Sequence, residues 1–390
     1  SAVPADDPEL AAAATGGIEV WRRPRLLHAL TRLLPTVGVT GTHGKTSSTA
    51  LMVAALQAVG RDPSFVVGGE LTDLRTNAHL GDPDLLVLEA DEAFGTFEQL
   101  RLGGLMVTNV EPEHLDHFLT IEELEESFVR VVGNVEGPVV VGGDDPGARR
   151  VAERAGRPTY GTTGGCEWRL TDIEEGAASV RFRLTGPGVD VPVEVGRPGI
   201  HMARNAAGVL ALLSALGIDP RAAAAGLAGY RGVRRRFEMR GSVGGVTIID
   251  DYAHHPTEVA ATIQAARRGG WLRVWAVFQP HLYSRTELLH EAFGPALALA
   301  DLVVVTDVYG AREAPRPGIT GRLVADAADR AGAPVSYVPH RSDVALHLAE
   351  RVAPGDLVLT VGAGDITLVP DELALLLAQL PAAGDPAGDR

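Results

Sequence analysis

The segment GTHGKTS at residues 41–47 has the residue types of a phosphate-binding loop. It follows the apolar run TVGVT, which predicts a buried strand at 36–40, and it precedes a predicted helix at about 45–59. Glycines let backbone N–H groups approach phosphate oxygens, and a helix N-terminus adds partial positive charge. We expect Lys45 to pair with the β- and γ-phosphates and the Thr46 hydroxyl to bind Mg²⁺. The residues predicted to bind the nucleotide here are Gly41, Thr42, His43, Gly44, Lys45, Thr46 and Ser47.

The lysine of this loop is the only lysine among the 35 Lys and Arg residues of the chain. A chain that uses Arg everywhere else keeps a compact ammonium at one place, where a broad guanidinium is a poor substitute. The strict motif has its first glycine at the position of Val39, so the loop is a variant flanked by Gly38 and Gly41. A glycine-rich turn that holds no ligand is the alternative, and the single lysine disfavours it.

Acidic residues at the end of another predicted strand, 84–89, are candidates for holding the metal. Glu89, Asp91 and Glu92 lie where this apolar run ends. A nucleotide-binding loop needs such an acid beside it, and Glu89 is our first choice as a Mg²⁺ ligand with Thr46. A later strand ends in TNVEPEHLDH, where His114 could bind a second Mg²⁺ or order the first. An ordinary surface histidine is the alternative there.

The elements that position these residues alternate between strand and helix, which predicts a mainly parallel sheet covered by helices. Short strand-like pieces at 166–196 predict a small antiparallel patch, and a helix at 203–216 follows. We therefore expect an α/β fold, with a central P-loop ATPase-like domain at 36–230 and a Rossmann-like C-terminal domain at 231–390. Further strands are predicted at 105–110, 138–141, 246–250, 273–278, 301–306, 335–338 and 356–361, and helices at 121–132 and from Pro256.

Residues 1–35 are too few for a domain. Their pattern predicts helices at 8–14 and 24–34 and a short strand at 18–20. We expect them to be the last stretch of a preceding domain.

Composition narrows the class of protein. The net charge of −15 disfavours nonspecific binding to nucleic acid. No apolar run reaches the roughly 20 residues needed to span a bilayer, and the acidic start is unlike a signal peptide. The single cysteine, Cys166, excludes an internal disulfide. These features predict a soluble cytoplasmic protein with neither nucleic acid nor membrane as partner.

Taken in order, these motifs resemble the Mur ligase family over nearly the whole chain. TNVEPEHLDHF is similar to the family's second metal loop. GIHMARNAAGVLAL resembles a helix that carries an Asn near the ATP, here Asn205. GVRRRFE resembles the junction between the central and C-terminal domains, and this implies that Arg235 or Arg236 lies near the phosphates. Other family members depend on a carbamylated lysine after the metal-binding His. This chain has no lysine after Lys45, so it resembles the alanine-adding subgroup, which does not need one.

Four further motifs resemble that alanine-adding subgroup: IIDDYAHHPTE, FQPHLYSRT, EAPRPG and VGAGDI. The resemblance implies a bacterial, cytoplasmic ligase of cell-wall synthesis, a monomer or weak homodimer, that uses ATP and two Mg²⁺ ions. Its substrates are then L-alanine and UDP-N-acetylmuramate, whose carboxylate is activated as an acyl phosphate. The alternatives are a ligase that attaches a preformed tripeptide, a nucleotide-dependent regulator, and a non-catalytic P-loop paralogue.

The resemblance also implies roles in the C-terminal domain. Arg285 holds the alanine carboxylate, His254 and Tyr252 orient its amine, and Asp251 helps to seat the ATP ribose or adenine. With Lys45, His254 and Arg285 are the predicted catalytic residues. A capping or surface role is the alternative for the two adjacent histidines at 254 and 255.

The chain departs from the family pattern at two places. Ala93 and Phe94 replace the usual Ser-Asp, and Leu282 stands where relatives can carry Arg, so carboxylate recognition relies more on Arg285. Closure about a hinge at 229–233 is expected to complete the site. The family's separate UDP-binding domain has only its final stretch here, so we expect this chain to bind Mg²⁺-ATP but to hold UDP-N-acetylmuramate weakly.

Overall fold

The computed structural model describes residue 3, residues 6–112, residue 118 and residues 120–379, and only the backbone of residues 93 and 94. The chain divides into two compact units. The first comprises Ser1–Glu174 and Ser179–Arg231, and the second comprises Glu175–Ala178 and Gly232–Arg390. Each unit is built on its own sheet.

The first unit has a ten-stranded sheet that is mostly parallel. Its strands in chain order are β1 (Thr36–Thr40), β2 (Pro63–Leu71), β3 (Thr76–His79), β4 (Asp82–Glu89), β5 (Gly104–Val107), β6 (Val139–Gly142), β7 (Thr159–Gly161), β8 (Trp168–Glu175), β9 (Val180–Gly186) and β10 (Val189–Val195). They lie in the order β10-β9-β8-β7-β6-β5-β1-β4-β2-β3. The pairs β2–β3 and β9–β10 are antiparallel, and pairing is parallel from β8 through to β2. The predicted α/β class and antiparallel patch are confirmed.

Helices complete this unit, and α3 is the one that positions the site. Its sequence is small or apolar on nearly every side, so it is buried beside the sheet. Leu51 and Met52 within it are completely buried. The helices are α1 (Pro8–Thr15), α2 (Arg23–Leu33), α3 (Lys45–Ala58), α4 (Ile121–Asn134), α5 (Pro146–Ala155), α6 (Ile200–Ala215) and α7 (Pro220–Ala228).

Parallel pairing brings three strand ends to one edge of the sheet. Val39 of β1 is level with Glu89 of β4, and Thr40 is level with Val107 of β5. The loop after β1, the acids after β4 and the segment after β5 therefore meet at the carboxyl edge, where ligands bind in open α/β sheets.

Two details of the prediction for this unit are wrong. No strand forms at 18–20, where Ile18 and Val20 are 67% and 50% exposed and no described strand pairs with them. The strand predicted at 105–110 ends at Val107, because Thr108 and Asn109 turn away to bond the phosphate loop.

The second unit has a six-stranded sheet in the order β11-β12-β16-β13-β14-β15. Its elements are β11 (Glu238–Val243), β12 (Val246–Asp251), α8 (Pro256–Arg267), β13 (Val274–Phe278), α9 (Tyr283–Leu297), β14 (Leu302–Val305), α10 (Gly321–Arg330), β15 (Val335–Tyr337), α11 (Arg341–Ala349), β16 (Leu357–Val361) and α12 (Val369–Gln379). Only β11, which the sequence did not predict, is antiparallel to its neighbour. Among the helices described in either unit, none is long and apolar enough to cross a membrane.

Candidate nucleotide and amino-acid sites

The loop between β1 and α3 is held in shape by the segment that follows β5. Thr42 N donates to Asn109 O at 3.0 Å, and His43 N donates to Asn109 Oδ1 at 2.7 Å. The Asn109 amide donates back to His43 O at 3.1 Å, and Thr108 Oγ1 donates to the same oxygen at 2.6 Å. A loop fixed in this way loses little conformational freedom when a ligand binds.

Two glycines of this loop occupy positions that larger residues would disrupt. Gly41 has φ of 128°, and a Cβ there would lie 2.1 Å from Thr108 Oγ1. Gly44 is the N-cap of α3 with φ of 80°, and a Cβ there would lie 3.0 Å from Asn205 Oδ1. Asn205 therefore lies beside the loop, and its contact with ATP stays a prediction. No described side chain caps α3, so its first turn can offer N–H groups to an anion.

Lys45 reaches back across the loop towards the acids that follow β4. Its Nζ donates to Gly41 O at 2.7 Å, to Thr42 O at 3.1 Å and to Glu92 Oε1 at 2.9 Å. Asp91 is farther away, at 3.9 Å. The Glu92 side chain is only 1% exposed. Burial raises the pKa of its carboxyl to about 7, and the Lys45 ammonium opposes that rise. A nucleotide phosphate would compete with Glu92 for this ammonium.

Two of the three residues predicted to bind Mg²⁺, Thr46 and Glu89, lie side by side in the first unit. Thr46 Oγ1 donates to Glu89 Oε1 at 3.0 Å, and Gly68 N donates to Glu89 Oε2 at 2.5 Å. Both side chains are buried. A hydroxyl and a carboxylate oxygen are the hard donors that Mg²⁺ prefers, so this pair fits the metal. Ser47 is half-buried in the same turn of α3, and His114 lies outside the described residues.

In the second unit, His254 and Tyr252 lie together after β12. His254 Nδ1 is 3.0 Å from Tyr252 O, and the two rings meet edge to face at 5.3 Å. Because a carbonyl oxygen can only accept, Nδ1 carries a hydrogen, and in the neutral ring Nε2 then carries the lone pair. His255 instead caps α8 by accepting from Thr257 N at 3.4 Å. The capping alternative therefore holds for His255.

Arg285 in the first turn of α9 lies against a second histidine. Its Nη1 donates to His281 Nδ1 at 3.1 Å. Burial, together with the charges of Arg285 and His254, lowers the pKa of His281 to about 3. A neutral His281 that accepts at Nδ1 carries its hydrogen on Nε2, the reverse of His254. The His254 and His281 rings are 6.0 Å apart, so a proton acceptor, a proton donor and a guanidinium lie in one cluster.

Arg235 and Arg236 flank the Tyr252 ring, with guanidinium carbons 4.9 and 5.2 Å from its centroid. Arg235 also donates to Gly362 O at 2.8 Å and to Gly364 O at 3.0 Å. Its guanidinium thus supports the turn after β16, and contact of either arginine with phosphate stays a prediction.

Asp251 has a structural task that the sequence did not reveal. Its two carboxylate oxygens accept from Phe237 N and Ala253 N, both at 2.7 Å. Burial raises the pKa of Asp251 to about 6, against the effect of Arg236 and these hydrogen bonds. The residue shapes the backbone around the end of β12, and its contact with ribose or adenine stays a prediction.

Hydrogen bonds join motif segments that are distant in the chain. Gln279 Nε2 donates to Asp365 Oδ1 at 2.7 Å, and Ile366 N donates to Gln279 Oε1 at 3.0 Å. Ser284 N donates to Glu313 Oε2 at 2.9 Å. The motifs FQPHLYSRT, EAPRPG and VGAGDI therefore lie together at the carboxyl edge of the second sheet.

Two family models match the chain in succession. Residues 39–213 match the Mur ligase middle domain, and residues 235–364 match the Mur ligase glutamate ligase domain. Together these ranges cover well over half of the chain. The chain belongs to the Mur ligase family. This Mur ligase is 44% identical over 401 residues to the UDP-N-acetylmuramate–L-alanine ligase of Mycobacteroides abscessus, a match that covers 97% of this chain and 81% of the relative.

A second relative of this chain has the same name. The UDP-N-acetylmuramate–L-alanine ligase of Mycolicibacterium vanbaalenii is 46% identical over 390 residues, with 96% of this Mur ligase and 80% of the relative covered. Among solved structures, the UDP-N-acetylmuramate–alanine ligase of Thermotoga maritima matches with a TM-score of 0.81 and 26% identity, over 96% of this chain and 83% of that one. A murein peptide ligase of Psychrobacter arcticus, at 20% identity and a TM-score of 0.70 over 98% and 85% of the two chains, shares the fold.

Three contributors to the sites of this Mur ligase were not predicted from its sequence. Asn109 lies in the TNVEP segment and His281 in FQPHLYSRT, two motifs whose patterns gave these residues no predicted role. Gly68 had no signal beyond its residue type. A Cβ at Gly68 would lie 2.6 Å from Glu89 Oε1, so this glycine leaves the space that the Glu89 carboxylate occupies.

Proposed function

We propose that this Mur ligase joins L-alanine to the carboxylate of UDP-N-acetylmuramate, with hydrolysis of ATP, in peptidoglycan synthesis. The observation that carries the proposal is the 46% identity over 96% of the chain to a ligase of that name. The two side-chain clusters suit the reaction, because one has the features of a nucleotide site and the other can recognise an amino acid.

A carboxylate does not react with an amine until it is activated. Transfer of the γ-phosphoryl group of ATP to the muramate carboxylate gives an acyl phosphate. Attack by the amine of alanine then forms the C–N bond of a tetrahedral intermediate, and inorganic phosphate leaves. Since the first step brings two anions together, neutralisation of charge is the main requirement on the protein.

The phosphate loop supplies cations and donors for that step. We expect the Lys45 ammonium to exchange its contact with Glu92 for phosphate oxygens, while first-turn N–H groups of α3 bind the same phosphates. Thr46 and Glu89 would hold Mg²⁺, which when bound neutralises charge on the phosphate oxygens. A second Mg²⁺ near His114 stays a prediction.

The cluster in the second unit matches the two charged groups of alanine. Arg285 and the Nε2–H of His281 can donate to its carboxylate, and the lone pair on His254 Nε2 can take a proton from its ammonium. Deprotonation is necessary because only a neutral amine attacks the acyl phosphate. The requirement for closure about 229–233, the cytoplasmic location and the monomer or weak homodimer stay predictions.

The test is phosphate release with ATP, UDP-N-acetylmuramate and one amino acid at a time, with Lys45→Ala as the inactive control. The proposal expects release that depends on all three substrates, with L-alanine preferred over glycine and L-serine. Release with a preformed tripeptide but not with alanine would favour the tripeptide-attaching ligase. A nucleotide-dependent regulator predicts partner complexes that depend on nucleotide and no release that depends on an acceptor.

A further inference from the structure

The first turn of α9 carries Arg285, and it begins from an unfavourable residue. Leu282 is the N-cap, with φ of 70° and ψ of 134°. Residues with a Cβ avoid this region of backbone conformation, and they persist there only when their surroundings fix them. An apolar side chain also cannot accept from the N–H groups of the first turn. The cap of this helix must therefore come from elsewhere in the chain.

Glu313 provides it from the EAPRPG segment. Ser284 N donates to Glu313 Oε2 at 2.9 Å, and Ser284 Oγ donates to Glu313 Oε1 at 2.5 Å. Burial alone would raise the pKa of this carboxyl, but the hydrogen bonds from Ser284 and the charge of Arg316 lower it below its ordinary value. Glu313 is therefore a charged acceptor at a helix N-terminus, where negative charge is favourable.

The loop that carries Glu313 is attached to the amino-acid cluster at other points. Leu282 N donates to Tyr309 O at 2.9 Å, and the Tyr309 ring stacks on His281 at 6.0 Å. A Cβ on Gly310 would lie 2.6 Å from Cε2 of Tyr283, so the loop and the helix approach closely there. The loop thus supports the strained start of α9 on both sides of Leu282.

We propose that Glu313 is a positioning residue of the amino-acid site, which fixes the first turn of α9 and so the direction in which Arg285 presents its guanidinium. This inference rests on the proposed function. Without the cap, the turn carrying Arg285 must be ordered when the amino acid binds, and that ordering weakens binding. The nucleotide loop of the first unit does not share this turn, so ATP binding is unaffected.

Steady-state kinetics of Glu313→Ala test the inference. We expect the KM for L-alanine to rise about fivefold, which corresponds to about 1 kcal/mol at 1.4 kcal/mol per tenfold, with the KM for ATP unchanged. Glu313→Gln keeps one acceptor oxygen, so its KM for L-alanine should lie between those of the wild type and Glu313→Ala. In the Glu313→Ala background, Ser284→Ala should add almost nothing, because the two side chains act through one contact.

Glu287→Ala is the matched control. It removes another carboxylate contact between α9 and the same loop, to Arg316 Nη1 at 2.7 Å, but both partners are about half exposed. Such surface pairs contribute little, so we expect neither KM to change. An unchanged KM for alanine in Glu313→Ala, or an equal rise for alanine and ATP, would overturn the inference.

Amide hydrogen exchange gives a second readout that needs no turnover. Glu313→Ala should speed exchange of the Ser284 amide by about fivefold or more, while Glu287→Ala leaves it as in the wild type. Equal exchange in all three proteins would also overturn the inference. Failure of the wild type to release phosphate with alanine would instead contradict the proposed function, and the exchange result would still decide whether Glu313 holds this turn.

Discussion

Replacement of Lys45 by methionine tests the buried pair at the phosphate loop. The Lys45 and Glu92 side chains are 13% and 1% exposed, and their charged atoms are 2.9 Å apart. The pKa of Glu92 is raised by burial from 4.5 to about 7 although Lys45 lowers it. Between these two values the folded protein binds more protons than the unfolded one, so the contribution of Glu92 to stability is lost as pH rises.

In wild type that loss ends near pH 7, where Glu92 ionises beside Lys45. Lys45→Met removes the opposing charge, so the carboxyl stays protonated to higher pH and the loss continues. We expect the free energy of unfolding of Lys45→Met to fall by up to about 1.4 kcal/mol per pH unit above pH 7, relative to wild type. At pH 6, where Glu92 is largely protonated in both proteins, this additional pH-dependent loss of unfolding free energy should be small.

Urea unfolding at pH 6, 7, 8 and 9 measures this, with each compact unit fitted as its own transition. The double variant Lys45→Met/Glu92→Gln is the control, and it should lose the added pH dependence without regaining phosphate release. Lys45→Arg should be nearly as inactive as Lys45→Ala, because a guanidinium is too broad for this loop. Parallel stability curves for wild type and Lys45→Met, or substantial turnover by Lys45→Arg, would refute the reasoning.

Three further predictions concern other features. Arg285→Ala should raise the KM for alanine by about 10–150-fold, the effect of about 1.5–3 kcal/mol, and equal effects on the KM for ATP would contradict its role. Gly41→Ala should abolish nucleotide binding in a calorimetric titration, since its Cβ would lie 2.1 Å from Thr108 Oγ1, whereas Gly60→Ala, at φ of 78° with open space, should cost about 1 kcal/mol of stability and leave binding intact. Because burial and Arg285 hold the pKa of His281 near 3, the unfolded state binds more protons below pH 6.5 and stability falls as pH falls. His281→Asn should therefore reduce the loss of unfolding free energy between pH 7 and pH 5 by up to about 2 kcal/mol, and an unchanged pH dependence would count against this.

The phosphate loop and α3 were predictable from sequence because their signals are local. Glycines, lysine and threonine lie within seven residues, and the loop conformation follows from their types. The partners of the loop are not local. Which acid after β4 contacts Lys45 depends on the path of the chain after Glu89. The spacing of the acids in the sequence did not show that this acid would be Glu92.

Strands with weak patterns were harder to predict. β11 has the sequence EMRGSV, which contains a glycine and in which no residue is fully buried, and Met239 is 54% exposed. β3, TNAH, is mostly exposed. Both are defined by backbone pairing with a neighbour rather than by burial, and a single segment carries no record of such pairing. The run at 18–20 shows the converse, because its apolar residues have no described strand to pair with.

The solitary lysine has a consequence for covalent labelling. Apart from the terminal amine, Nζ of Lys45 is the sole aliphatic amine of the chain. A nucleotide analogue that delivers an acyl group to nearby amines would therefore tag one side chain, at the loop where its phosphates are expected to bind. The amount of tag retained would count the intact nucleotide sites in a preparation, and protection by ATP would report their occupancy without any turnover.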